Sequence, residues 1–370
     1  MKLTCTKEAI NNAVATVSRA VSSRSNLPVL EGIYIKADAD GKVTFIGNDL
    51  EIGIEAVTEG TVSEPGEVVI NAKMLGNIIR SLTGDKIIIE VNEKNAALIR
   101  SGAAKFEIAG IAAEEFPELP VVEAEYSVSL PGSVLKDMIE KTSFAVAASD
   151  NNPILTGCLL EIKNEGLSMV ALDGYRMAIR KAAMENDFEE HRLIIPAKSL
   201  SELSRIISDG EEQVQIQATP RHAIFLFENC RMVTRLIEGE YINYQSVIPN
   251  SYEITLNCAT SALTESIQRA SLMILSDLVK SPVKFHIGDG NINVSCVTSA
   301  GAVDDNIAVD SQDVDLEIGF YNRFLLEAFR AVDTEMVTLK FNKAVNPLVI
   351  TPTEGDDFLY LILPLRLKLD

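Results

Sequence analysis

The sequence predicts an α+β fold of three repeated domains, each two helices packed on antiparallel sheet, and three observations predict it. One pattern recurs at a spacing of 125 residues, over 69–80, 194–205 and 319–330, and each copy carries a basic residue followed seven positions later by an arginine. An amphipathic helix pattern precedes each copy, at 7–21, 133–142 and 261–271. Alternating β-rich runs joined by Asp, Asn and Gly turns fill the remainder. Strands therefore outnumber helices and fall in hairpins, which favours antiparallel sheet over βαβ units.

Each repeat has the same order. After the first helix comes a short proline-led strand, at 27–32, 152–157 and 281–285, and then a β-rich run at 42–46, 167–171 and 292–296. The basic helix follows, and strands close the repeat at 86–91 with 97–100, 213–217 with 223–227, and 337–341 with 359–363. The segments 114–122 and 240–250 read as links, which sets domains at 1–123, 124–250 and 251–370. A chain of 370 residues also exceeds the roughly 250–300 at which one core stops growing.

With 47% hydrophobic and 23% charged residues the chain reads as folded and globular. No targeting segment or membrane-length apolar run is visible, so a soluble, cytoplasmic protein is expected. The five cysteines are scattered without a CxxC pair and read as core thiols, with neither a disulfide framework nor a zinc site. A formal net charge of −20 opposes binding to a polyanion only if the charge is unsegregated. Screening over about 8 Å separates opposite faces of a body tens of ångströms across.

The basic helices supply such segregation. At about 100° per residue, Ile78, Ile79 and Leu82 lie within about 60° of Leu75, whereas Lys73 and Arg80 fall near 160° and 140°. Leu200, Leu203 and Ile207 repeat the apolar stripe opposite Lys198 and Arg205, with Ser204 as the exception. In the third copy Leu325, Ala328, Phe329 and Val332 do so opposite Arg323 and Arg330. An ordinary solvated face would explain one such helix, and Glu202 and Glu327 are spaced to pair with neighbouring cations. Recurrence in three diverged copies argues for a selected surface. Cations seven apart lie about 10.5 Å apart along a helix, which suits phosphate contact and not base reading.

At these residues the chain resembles the bacterial sliding clamps, the β subunit of the replicative DNA polymerase. The resemblance covers the whole chain. It rests on the threefold repeat, on Arg24-Ser-Asn-Leu-Pro-Val-Leu, Ala171-Leu-Asp-Gly-Tyr-Arg-Met and Pro196-Ala-Lys, and on the terminal Tyr360-Leu-Ile-Leu-Pro-Leu-Arg-Leu followed by 368–370. It implies a head-to-tail homodimer forming a ring around duplex DNA without sequence preference, non-catalytic and needing no cofactor or metal. Arg24, Lys73, Arg80, Lys198, Arg205, Arg323 and Arg330 become the candidate DNA-facing residues.

The resemblance further implies a hydrophobic pocket between the second and third domains. It would tether the polymerase, the clamp loader and repair proteins by short linear motifs. Carried over, the pocket comprises Leu155, Gly174, Tyr175, Arg176, Met177, Val247, Val345, Pro347, Leu361, Ile362, Leu363, Pro364, Leu365 and Arg366, with Arg176 and Arg366 as polar anchors. Leu172, Ile242 and Ser246 depart from the residues many relatives carry there. For the subunit interface it implies Phe106 and Ile108 on one side, Leu272 and Met273 on the other.

The sequence leaves two rival classes, a hydrolase using paired carboxylates and an acidic scaffold that binds only proteins. Against the first, Asp49 and Asp173 read as turn residues, the three histidines lack metal-ligand spacing, and no GxxxxGK[ST], GxGxxG or GxSxG occurs.

Overall fold

The computed structural model describes residues 1–120, 126–148, 152–184, 190–274, 281–310 and 314–367. Among these are six α-helices: α1 (Lys7–Val17), α2 (Ala72–Ser81), α3 (Gly132–Glu140), α4 (Ala197–Ile206), α5 (Thr260–Ile274) and α6 (Asn322–Ala331). They accompany 25 strands, and every strand pairing is antiparallel. The chain forms two compact units, one of Met1–Lys136 with Lys198–Leu236 and the other of Asp137–Ala197 with Ile237–Asp370.

In the first unit a five-stranded sheet runs in the order Thr61–Glu64, Lys2–Thr6, Lys86–Val91, Ala96–Ser101, Ala104–Ala109. Its eight-stranded sheet joins two four-strand halves. Tyr126–Pro131, Gln213–Ala218, His222–Phe227 and Cys230–Arg235 make one, and Ile52–Glu59, Lys42–Asn48, Gly32–Ala37 and Gly66–Asn71 the other. The seam is Cys230–Arg235 against Ile52–Glu59, with Arg231 opposite Glu55 and Met232 opposite Ile54.

The second unit repeats this construction. Its eight-stranded sheet runs His191–Pro196, Gly157–Lys163, Gly166–Leu172, Arg176–Ala183, then Phe358–Ile362, Leu348–Pro352, Met336–Phe341, Ile254–Ala259. Here the seam pairs Leu359 with Ile179 and Tyr360 with Ala178. A four-stranded sheet of Gly301–Ala308, Asn291–Thr298, Val283–Gly288 and Leu316–Phe320 completes it. Each sequence repeat thus splits its strands between two sheets, so the compact units do not follow the repeat boundaries.

Local chemistry places the helices. Thr6 caps α1 by accepting from the Ala9 N–H at 3.2 Å, and Asn71 caps α2 by accepting from the Met74 N–H at 3.0 Å. Leu75, Ile78, Ile79 and Leu82 of the α2 stripe are buried, as are Leu200, Leu203 and Ile207 at α4 and Leu325, Ala328 and Phe329 on α6. Ser204, the polar exception, is also buried, its hydroxyl donating to the Ser201 carbonyl at 3.2 Å.

Two details differ from the sequence reading. The proline-led segments of the first two repeats are 3₁₀ turns, Pro28–Glu31 and Pro153–Thr156, and the strands begin after them at Gly32 and Gly157. Proline fixes φ near −65° and lacks a donor, which suits the first position of a helical turn better than a ladder. The 240–250 segment is no loose linker. Tyr241 and Tyr244 are buried in an apolar cluster, and the Tyr244 hydroxyl donates to Glu161 at 2.6 Å.

Candidate functional site

The basic residues divide by what holds them. Lys198 Nζ lies 2.7 Å from Asp49 and 3.6 Å from Glu51. Burial pulls its pKa down, but the two carboxylates outweigh this and raise it. Glu202 bridges Arg205 at 3.0 Å and Arg19 at 3.1 Å, and Glu327 accepts from Arg323 Nε at 2.9 Å. Arg80 donates to Asn77 Oδ1 at 2.7 Å, with no carboxylate partner among the described residues. Arg24, Lys73 and Arg330 are exposed and make no ion pair among the described residues. The helix carboxylates therefore hold two cations locally, as their spacing suggests, and Asp49 holds a third. Nothing in the sequence pattern flagged that last contact, because it joins residues 149 apart.

The pocket candidates all fall in the second unit. Leu155, Met177 and Leu361 belong to one buried cluster with Leu172, Ile179, Tyr241, Tyr244 and Val349, and Leu363 packs against it. The sheet register places Met177 opposite Leu361 and Arg176 opposite Ile362. The Leu363 N–H donates to the Tyr175 carbonyl at 2.8 Å, and Leu365 N–H to the Gly319 carbonyl at 2.8 Å. Tyr175, Val247 and Val345 present exposed apolar surface, at 61%, 47% and 73% of their maximum. Gly174, Pro347 and Pro364 are at least partly exposed, Ile362 is buried, and Arg366 is exposed without a partner among the described residues. The 368–370 extension lies outside the described residues.

Arg176, one of the two carried-over polar anchors, is held within the protein. It is only 6% exposed, and its guanidinium donates to Asp173 at 3.1 Å, to Glu327 and to the Phe144 carbonyl at 2.5 Å. The ring of Phe324 lies 4.5 Å from its Cζ. The reason is local: Asp173 Oδ1 accepts from the N–H groups of Tyr175 and Arg176, closing a turn in which Gly174 takes φ of 89°. That turn aims Arg176 inward and Tyr175 outward, where its ring stacks on Phe324 at 6.4 Å. Phe324 lies off the apolar stripe of its helix, so the amphipathic period does not mark it. An aromatic residue beside Arg323 is the signal that could have found it. A cavity of about 630 Å³ lined by Ile179, Lys181, Lys340, Thr351 and Leu359 adjoins the same cluster, beyond the carried-over set.

Of the interface candidates, Phe106 is 36% exposed and Ile108 buried on Ala104–Ala109, a sheet edge. Leu272 is 62% exposed at the end of α5, and the Met273 Sδ lies 3.7 Å from where a Cβ on Gly301 would stand, at the start of the edge strand Gly301–Ala308.

Burial raises the thiols of Cys5, Cys230 and Cys258 to about 11 and that of Cys158 to about 12, so they stay protonated at neutral pH. Among the described residues no cluster of His, Cys, Asp or Glu could hold a metal. Asp49 closes a turn by accepting from the Glu51 and Ile52 N–H groups, as Asp173 does in its own loop.

A threefold-repeated α+β chain with a cation pair on one helix of each repeat has the architecture of a DNA clamp. Family models agree: 1–120 matches the N-terminal domain of the DNA polymerase III beta subunit, 129–243 the central domain and 245–366 the C-terminal domain. The chain is 35% identical over 365 residues to the beta sliding clamp of Halalkalibacterium halodurans, covering 95% of each. It is 33% identical over 380 residues to that of Bacillus subtilis, covering 99% of this chain and all of the other. The crystal structure of a putative DNA polymerase III beta subunit from Eubacterium rectale superposes with a TM-score of 0.95 at 36% identity, over 99% of this chain and 100% of that one. The B. subtilis sliding clamp gives a TM-score of 0.95 at 32% identity, over 99% of each. The chain belongs to the bacterial DNA polymerase III beta subunit family, the beta sliding clamps.

Proposed function

We propose that this chain is a non-catalytic processivity factor of the cytoplasm, two copies of which pair head to tail into a ring around duplex DNA. Its domains in this reading are 1–123, 124–250 and 251–370. The observation that carries it is the state of two sheet edges. Within the described residues Ala104–Ala109 and Gly301–Ala308 each end a sheet with one side unpaired. Following the ladders through the repeats, Lys105 corresponds to Arg231 and Leu359, and Asp304 to Glu55 and Ile179. The chain therefore already makes this seam twice, and both seams give the same register.

A third seam needs a second copy. Its pairs would be Lys105 with Asp304 and Phe106 with Val303, complementary like Arg231 with Glu55 and Met232 with Ile54. A heterologous contact of this kind closes when its rotation allows, and closure removes exposed edges that would otherwise invite aggregation.

DNA contact in this reading is weak and phosphate-directed. Arg24, Lys73, Arg80 and Arg330 lead it, because Lys198, Arg205 and Arg323 are held by carboxylates. The second-unit cluster with Tyr175, Val247, Val345 and Leu363 would receive linear peptides of the polymerase, the clamp loader and repair proteins, by burial worth about 25 cal/mol per Å². Retention on circular but not linear DNA, together with the solution mass of a dimer, tests the reading. A monomer, or equal retention on both DNA forms, refutes it. DNA-dependent stimulation of polymerase processivity separates it from a scaffold that binds proteins alone.

A further inference from the structure

Glu327 stands between the two surfaces just described. It projects from α6, where one carboxylate oxygen accepts from Arg323 Nε at 2.9 Å and the other from Arg176 Nη1. Arg323 is 74% exposed on its side chain, whereas Arg176 is buried behind the loop that carries Tyr175. Phe324, the next residue on α6, lies under both the Tyr175 ring and the Arg176 guanidinium. The Tyr175 carbonyl in turn accepts from Leu363. One carboxylate thus touches a solvent-facing cation and the support of an exposed aromatic wall.

The other seam provides an internal control. Glu202 holds the corresponding place on α4 and pairs with Arg205 and Arg19, while Ile52 occupies the register position of Arg176. With Ile52 there in place of an arginine, Glu202 turns to Arg19 instead.

We infer that Glu327 is a positioning residue for the peptide surface, and that sharing it with Arg323 makes peptide binding respond to phosphate at α6. The inference rests on the peptide-pocket reading above. A carboxylate divided between two guanidinium groups is partly neutralised by each. When a phosphate draws Arg323 away, the charge of Glu327 falls wholly on Arg176, and the Asp173–Arg176 turn is held more firmly in the orientation that exposes Tyr175. A loop already ordered costs a peptide less to bind. Linkage requires the reverse effect of the same size: bound peptide favours phosphate at Arg323.

The test measures binding of a fluorescein-labelled C-terminal peptide of the replicative polymerase to the full chain, with and without excess short linear DNA duplex. Wild type is expected to bind the peptide about fivefold more tightly with duplex. Glu327→Gln should bind it more weakly and show no response to duplex. Arg323→Ala, a change at an exposed position, should bind without duplex as tightly as wild type does with it, again with no response. A Glu327 that merely supported the fold would leave the response to duplex intact in Arg323→Ala. The inference is overturned if either variant responds as wild type does, or if wild type binds peptide equally in both conditions. Absence of peptide binding by wild type in both conditions would instead overturn the pocket, and this inference with it.

Discussion

Reversing one charge at each proposed edge should open and then restore the dimer. Lys105 and Asp304 are both exposed in the single chain, and the register of the two internal seams sets them opposite each other across the proposed contact. An exposed ion pair contributes about 0.2–1 kcal/mol, and like charges directly opposite on a sheet destabilise by a similar amount. Lys105→Glu therefore costs about 1 kcal/mol per seam. A closed ring has two intermolecular seams, so the variant loses about 2 kcal/mol, or roughly 30-fold in dimer dissociation constant at 1.4 kcal/mol per decade. Asp304→Lys should cost about the same, although it also removes the 2.9 Å hydrogen bond from Asn293 Nδ2.

The decisive measurement is the double variant. Sedimentation equilibrium of Lys105→Glu with Asp304→Lys should recover most of the lost affinity, because the pair is restored with its sign exchanged. The single-variant defects should shrink as salt rises, since screening over about 8 Å at 0.15 M weakens exposed charges first. Additive losses in the double variant would show that the residues do not face each other and would refute the register. Unchanged dimer affinity in both single variants would place the interface elsewhere.

Other outcomes follow from the same geometry. Lys73→Ala with Arg330→Ala should lower the slope of log affinity for DNA against log salt more than Lys198→Ala with Arg205→Ala, each free phosphate contact contributing about 0.9 to that slope. Equal slopes would show that the carboxylate partners do not matter. Deleting 363–370 removes the Leu363 bond to Tyr175 and should abolish binding of the polymerase peptide while the dimer mass persists in sedimentation. Arg176→Ala removes charge-assisted hydrogen bonds to Asp173 and Glu327, each of which keeps another partner, and should cost about 2–3 kcal/mol of stability, read in denaturant unfolding. Asp333 titrates below the ordinary aspartate range: burial alone would raise it, but Lys141 and Arg180 outweigh burial. Its contribution is present above about pH 4 and lost as pH falls through the depressed folded value. Replacing it with Asn should flatten acid unfolding of wild type in that window.

The repeats and their helices were legible because spacing and amphipathic period are local properties. Leu75, Ile78 and Ile79 face the core at the positions a 3.6-residue period assigns. The seams were not legible in the same way. That Cys230–Arg235 and Phe358–Ile362 join strands of the preceding repeat is a long-range pairing, and no spacing rule encodes it. Charge state was the least visible. Lys198 carries the same pattern as Lys73, yet Asp49 holds Lys198 while Lys73 makes no ion pair among the described residues. Arg176 likewise carries over as a polar anchor, and only the structure shows that the Asp173 turn directs it inward.

The two internal seams also explain why one of them carries a candidate peptide surface and the other does not. At the first, Ser199 of α4 shares a 2.7 Å hydrogen bond with Thr234, and Lys198 closes on Asp49, so the helix end is tied down by one hydroxyl pair and one ion pair. At the second, the corresponding positions on α6 are Phe324 and Arg323. A phenyl ring cannot make the Ser199 bond. It instead props Tyr175 outward and receives Arg176 on its face. Differences at a few equivalent positions, Phe324 for Ser199 and Tyr175 and Arg176 for Glu51 and Ile52, thus set an exposed aromatic side chain beside a buried apolar cluster at the second seam. Installing Ser at 324 should therefore lower Tyr175 exposure and peptide affinity together while leaving the Phe358–Ile362 seam paired. Loss of affinity with Tyr175 still exposed, read by its fluorescence quenching, would show that the ring contributes to the peptide surface directly.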